Sequence, residues 1–181
     1  QTETSPVVTQ TRADDTIEDL CETVGQPPPL TEISIRDPRT NTVAAIGGVG
    51  EICSRGYCNM LGYNDNPDAT KATIDAEGWL HTGDLGTMDE RGFVKVTGRV
   101  KEMIIRGGEN LFPAEIENCL LEHPSIAECA VVGVPDPRWG EIVTCFVRLN
   151  AGATLDRAAL VAHCRAHMAP QKTPAHWFEV S

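Results

Sequence analysis

The stretch GRVKEMIIRGGENLFPAEIE, running from Gly98 to Glu117, marks where the chain changes character. Leading into it, Phe93, Val94, Val96 and Val100 sit among polar neighbours with the two-residue alternation of a strand. Inside it, Gly107-Gly108 has the composition of a tight turn. Pro113 suits the first position of a helix, where a missing N–H costs nothing. Ile116, Cys119 and Leu120 then recur at helical spacing, and His123-Pro124 ends the element. An Arg-x-Lys pair, Arg99 and Lys101, stands at the changeover.

Toward the N-terminus, short β-type runs dominate. DDTIEDLCET supports one or two helical turns, capped by Asp14 or Asp15, and GQPPPL stops them because proline fixes φ and lacks a donor. TEISIRDP alternates Ile33 and Ile35 with polar residues and closes at Asp37-Pro38, and VGEICSRGY repeats the pattern. GYNDNPDATKATIDAEGWLHTGDLG is rich in turn residues and reads as loops between short strands. Residues 1–100 are therefore expected to form a small β-barrel or folded sheet.

Toward the C-terminus the periods mix. IAECAVVGVP and EIVTCFVRLN are β-branched runs separated by Pro135, Pro137 and Gly140. TLDRAALVAHCRAHM places Leu160, Val161, Cys164 and Met168 on one helical stripe, with Pro170 as its stop. Residues 101–181 predict a compact α+β plan of strand, helix, strand, strand, helix, strand. The fold class is α+β. No internal repeat or low-complexity tract is present.

The 181 residues suffice for one moderate domain or two small ones. A net charge of −11 argues against nucleic acid and anionic membrane as partners of the whole surface. The acidity is uneven: residues 1–100 carry 8 basic and 16 acidic side chains, and residues 101–181 carry 7 and 10. An anion must then bind at a local basic cluster. Seven cysteines are scattered without C-x-x-C or Cys/His pairs at metal-ligand spacing, so they read as small buried or half-buried thiols of a reducing cytoplasm. No signal peptide or apolar run long enough to span a bilayer is visible.

Chemistry-bearing side chains cluster in four stretches. TETSP offers a hydroxyl and a carboxylate side by side, Thr2 and Glu3. GWLHTGDLG places Asp84 in a Thr-Gly-Asp turn after an apolar strand. GRVKE supplies Arg99 and Lys101, and RGGENL supplies Gly107 and Gly108 before a helix start. Taken singly, each has an ordinary reading as a turn, a cap or a solvated charge. Their order along one chain is what carries information.

That order resembles the adenylate-forming superfamily, which includes acyl-CoA synthetases, aryl-CoA ligases, peptide-synthetase adenylation domains and luciferases. QTETSPV is similar to the end of the family's Y-G-x-T-E motif. GEICSRGYCNMLGYNDNPDATKATIDAEGWLHTGDLG resembles its G-E…G-Y…W-x-x-T-G-D motif. GRVKEMIIRGGENLFPAEIE resembles its hinge motif, and HMAPQKTPAHWFEV the approach to its last motif. TETSPV, NPDATKATID and GGENLFPAEIE look most like fatty-acyl or medium-chain acyl-CoA ligases.

The resemblance implies a two-step reaction. A carboxylate attacks the α-phosphate of ATP, giving acyl-adenylate and pyrophosphate, and the thiol of CoA then displaces AMP. Its implied cofactors are ATP/AMP, Mg²⁺ and CoA, and its implied substrate a fatty acid, in the cytoplasm. Glu3 takes the role of Mg²⁺ ligand, offering the carboxylate such ions use. Thr2 donates to the α-phosphate oxygens, Asp84 accepts from the ribose hydroxyls, and Arg99 donates to the ribose. Lys101 takes the hinge position, about which a small C-terminal lid swings between adenylation and thioester formation. Gly107 and Gly108 let the backbone pass close to the CoA thiol arm.

By the same resemblance, residues 1–100 are the terminal β-rich subdomain of a large adenylation domain, and residues 101–181 are the lid. The family's adenylation lysine lies past HWFEV, so the 181 residues are expected to be a fragment that stops before it and is inactive by itself. Lys172, in Gln-Lys-Thr-Pro, matches an earlier structural lysine. Two alternatives stay open: an adenylating enzyme that loads a carrier protein, and a non-catalytic nucleotide-binding module.

Overall fold

The computed structural model describes residues 1–180, and these divide into two compact units between Val100 and Lys101. In the first unit, four strands form an antiparallel meander in the order β1-β2-β3-β4. They are β1 (Thr31–Arg36), β2 (Gly50–Gly56), β3 (Leu80–Met88) and β4 (Val94–Arg99). Ile35 and Ile52 face each other in register across β1 and β2. With Val94 they make a buried core, against which Ile33, Ala44 and Met88 pack. The alternating isoleucines supply this core, while Ser34, Arg36, Glu51 and Cys53 on the opposite face of β1 and β2 are buried as well.

The sheet is open, which corrects the expectation of a small barrel. Among the described residues β1 and β4 do not pair, so the ends of the meander never meet. The free edge of β4 is covered instead by Val24 and Gly25, through Val24 N–H to Val94 O at 2.8 Å and Val94 N–H to Gly25 O at 2.9 Å. Alternating strands demand one buried face, and an edge covered by a loop meets that demand as well as closure does.

Two short helices flank the sheet. In α1 (Ile17–Glu22) the cap is Thr16, whose hydroxyl oxygen accepts the Asp19 N–H at 3.1 Å, and not Asp14 or Asp15. The Thr16 hydroxyl in turn donates to the Asp19 carboxylate, a reciprocal box that neither upstream aspartate could form. Arg91, in the β3–β4 turn, grips that carboxylate with two nitrogens at 3.0 and 2.7 Å. α2 (Pro67–Thr73) lies within the segment read as loops. Asn66 caps it by accepting the Ala69 N–H at 3.1 Å, and Pro67 starts it. Asn-Pro-Asp serves a turn and a helix start equally well, and here the helix wins.

In the second unit, β5 (Ile104–Arg106) and β6 (Glu109–Leu111) form a short hairpin. It is followed by α3 (Pro113–Leu121), then by a long antiparallel pair, β7 (Ile126–Asp136) and β8 (Gly140–Leu149). α4 (Arg157–His167) and β9 (His176–Glu179) complete it. β8 is the organising strand: it pairs with β5, with β7 along its length, and in parallel with β9. Ile116 and Leu120 of α3, Leu160 and Cys164 of α4, and Trp177 of β9 bury against Val143, Cys145 and Val147 of β8. Pro113 and the stripe it begins behave as their spacing predicts. The hairpin's second strand is the one addition to the expected order.

All seven cysteines are free thiols; Cys21 is exposed, and the other six are buried or half-buried. No helix among the described residues is long and apolar enough to cross a membrane.

Candidate functional site

Asp84 sits within β3, directly across the ladder from Arg99 at the end of β4. Arg99 Nε donates to Asp84 Oδ1 at 2.9 Å, with the aspartate 27% and the arginine 63% exposed. Both reach solvent, so the pair is available to a ligand. One acceptor oxygen of Asp84 is engaged by this bond, and the guanidinium keeps further donors.

The turn that presents Asp84 is built from two sides. Thr82 donates its hydroxyl to Ile52 O at 2.7 Å and accepts the Asp84 N–H at 3.1 Å. Gly83, at φ +75°, adopts a backbone conformation that side chains resist, and its N–H donates to Glu51 Oε1 at 2.9 Å. The other Glu51 oxygen is 2.8 Å from His81 Nδ1. Glu51 is buried, and two partners satisfy its charge there. Glu51 was not singled out by the sequence reading: its partners lie some thirty residues away, and only the Gly-Glu start of β2 hinted at it.

Thr2 and Glu3 lie in one turn of 3-10 helix, Thr2–Thr4, closed by Ser5 in the left-handed conformation. Two bonds tie this turn to the loop after β2: Met60 N–H to Glu3 O at 2.7 Å, and Tyr63 O–H to Glu3 Oε1 at 3.0 Å. Its own backbone amide, and then the Tyr63 hydroxyl, hold the Glu3 carboxyl below its ordinary pKa. An ionised, oriented carboxylate with only hard oxygen donors suits Mg²⁺, so the residue fits that ion. Thr2 is exposed. Gln1 and Pro6, on either side of the turn, line the same open groove of about 250 Å³ as Asp84, Thr82 and Val96. The structure thus brings the TETSP and TGD stretches to one groove, with Arg99 paired at its aspartate.

In the second unit, Lys101 is exposed in the single turn of 3-10 helix Val100–Glu102. Together with Pro113, Glu117 and Glu141 it lines a groove of about 490 Å³. Gly107 and Gly108 are the two central residues of the β5–β6 hairpin, at φ +60° and +87°, the conformation that glycine supplies at least cost. A side chain on Gly107 would meet the Trp139 ring at 3.0 Å, and the Gly107 N–H donates to Trp139 O at 2.7 Å. Trp139 is 41% exposed, with Arg106 and Arg138 guanidiniums 5.3 and 4.9 Å from its ring. Sequence reasoning passed over this aromatic platform, because Pro-Arg-Trp-Gly reads as an ordinary turn. Lys172 pairs with Glu115 of α3, in keeping with a structural lysine.

Comparison with known proteins follows the same two regions. The family described as AMP-binding enzyme matches residues 1–64, and the AMP-binding enzyme C-terminal domain matches residues 115–181. The chain is 46% identical over 176 residues to the putative acyl-CoA synthetase YngI of Bacillus subtilis, covering 97% of this chain and 32% of that protein. It is 42% identical over 175 residues to the human mitochondrial medium-chain acyl-CoA ligase ACSF2, covering 97% and 28%. ATP-bound MatB from Rhodopseudomonas palustris superposes with a TM-score of 0.88 at 35% identity, covering 99% of this chain and 35% of that one. The chain spans about a third of the length of these relatives. It belongs to the adenylate-forming superfamily of AMP-binding enzymes, and includes that family's C-terminal domain.

Proposed function

We propose that this chain forms the ribose-binding and hinge-bearing part of an ATP-dependent ligase that joins a medium or long fatty acid to CoA. The observation that carries the reading is the Asp84–Arg99 pair, an acceptor and a donor fixed side by side at a groove rim by Glu51 and Thr82. Cis-diol hydroxyls ask for such a partner: the carboxylate accepts from them, and the guanidinium donates back. The pair accounts for nucleotide selection, not for bond making.

Thr2 donates its hydroxyl to the α-phosphate, and Glu3 would hold Mg²⁺, which supplies neutralising charge to the phosphates. The fatty carboxylate oxygen attacks the α-phosphorus as pyrophosphate leaves, giving the acyl-adenylate. The CoA thiol, giving up its proton to solvent, then attacks the acyl carbonyl carbon, and AMP departs with the electron pair of the broken acyl C–O bond. Lys101, in its isolated turn, is the pivot between these steps, since few residues at element ends absorb such a rotation. Gly108 leaves open space where a side chain would stand, and the Gly107–Trp139 surface offers CoA a smooth backbone and an aromatic face.

The test uses the intact enzyme carrying this segment, incubated with ATP, octanoate or palmitate, and CoA. Acyl-CoA, AMP and pyrophosphate in equal amounts support the reading. Acyl-AMP accumulating beside unreacted CoA transfers the function to carrier-protein loading, and no ATP turnover at all leaves a nucleotide-binding module.

A further inference from the structure

The second unit carries a cluster of imidazole and thiol groups that the acyl-transfer chemistry does not use. His163 and His167 stand four residues apart on α4, so they project from one face a turn apart. Cys119 lies on α3, the helix against which α4 packs. One donor atom from each of these three side chains lies within 4.8 Å of the others.

The hydrogen bonds around the rings favour ligation. His163 Nε2 is 2.8 Å from the Cys119 backbone oxygen, and His167 Nδ1 is 2.8 Å from the His163 backbone oxygen. A ring nitrogen facing a carbonyl carries the proton, so the other nitrogen of each neutral ring keeps its lone pair. Metal-ligating histidines are held in their tautomer in this way. A third imidazole stands near: the His123 ring centroid is 5.3 Å from that of His163, with its Nδ1 on Ser125 Oγ at 2.7 Å. By contrast, Glu51, Cys53 and His81 also converge, but His81 already meets Glu51 at 2.8 Å and Asp75 at 3.6 Å through its two nitrogens. Those groups satisfy one another. The α3–α4 cluster does not.

We propose that Cys119, His163 and His167 bind a zinc-class divalent ion that clamps α3 to α4, with water as fourth ligand. One thiolate and two imidazoles select a borderline-soft ion over Mg²⁺. Bonds of about 2.0–2.3 Å in a tetrahedron set donors roughly 3.3–3.6 Å apart. Donors already within 4.8 Å of one another need at most about 1.5 Å of side-chain adjustment to reach that tetrahedron, and His167, being exposed, has the freedom to make it. Binding exchanges the Cys119 S–H proton for the S–metal bond and releases that proton to water. The site is independent of the acyl-transfer reading.

The test titrates the reduced, chelator-treated chain with Zn²⁺ by competition against a chromogenic chelator, and with Co²⁺ by absorption. The expected result is one tight equivalent, a tetrahedral Co²⁺ spectrum with a thiolate charge-transfer band, and a higher Tm with Zn²⁺ that excess Mg²⁺ does not reproduce. His167→Ala and Cys119→Ser should each weaken binding by at least about a hundredfold, beyond the loss typical of outer-shell partners. Cys21→Ser, which removes the exposed thiol, should leave it unchanged. Circular dichroism checks the fold of each variant, and His167→Ala decides alone if Cys119→Ser does not fold. A Co²⁺ spectrum lacking the thiolate band, or undiminished affinity in His167→Ala, overturns the proposal.

Discussion

At the scale of single residues, the groove depends on charges whose partners are distant in sequence. Asp84 is useful because Glu51 and Thr82 fix the turn around it, and Arg99 because the register sets it opposite. In the intact enzyme, Asp84→Asn keeps the shape and removes the charge. It should raise the KM for ATP about tenfold to a hundredfold, the worth of a charge-assisted hydrogen bond. ATP–pyrophosphate exchange measures this, and an unchanged KM with a normal fold removes Asp84 from the ribose. The stretches bearing Thr2, Glu3, Asp84, Arg99 and Lys101 were legible because each keeps its chemistry within a few adjacent letters. Glu51 and Trp139 were not, since each acts on a glycine thirty-two residues away. The cluster of Cys119, His163 and His167 was not legible either, since Cys119 meets the histidines only across two packed helices, 44 residues from His163.

At the scale of elements, α3, α4 and the long strands follow their periodicity, whereas closure, short caps and the short helix α2 do not. Pro113 and the β-branched runs of β7 and β8 specify their elements locally. Whether a four-stranded meander closes is decided by what covers its edge, here Val24 and Gly25, and alternation is silent on that. The β5–β6 hairpin makes a sharper prediction. Gly107→Ala places a methyl 3.0 Å from the Trp139 ring at φ +60°, so strain and contact act together. A left-handed residue costs about 1–2 kcal/mol. For a unit of this size, that lowers Tm by roughly 4–8 °C per kcal/mol. Differential scanning calorimetry reads the change, and an unaltered second-unit transition shows that the ring moves aside freely.

At the scale of the whole molecule, the two units keep separate cores. Ile35, Ile52 and Val94 serve the first, while Ile116, Leu120, Val143 and Trp177 serve the second. Ile116→Ala should therefore cost about 2–5 kcal/mol, and the loss should fall on one unit. Hydrogen exchange should show β5 to β9 losing protection while β1 to β4 keep theirs. Loss across both sheets would mean that the units unfold as one.

The parallel pairing of β9 with β8 also sets a timetable. In the first unit every strand pairs with its sequence neighbour, so its sheet can assemble as each strand leaves the ribosome. The second unit cannot finish. β8 waits for residues 176–179 on one flank, and the core waits for Trp177 to fill it. During synthesis, then, the first unit folds while the second still shows apolar surface, and that interval is when chaperones would have most to hold.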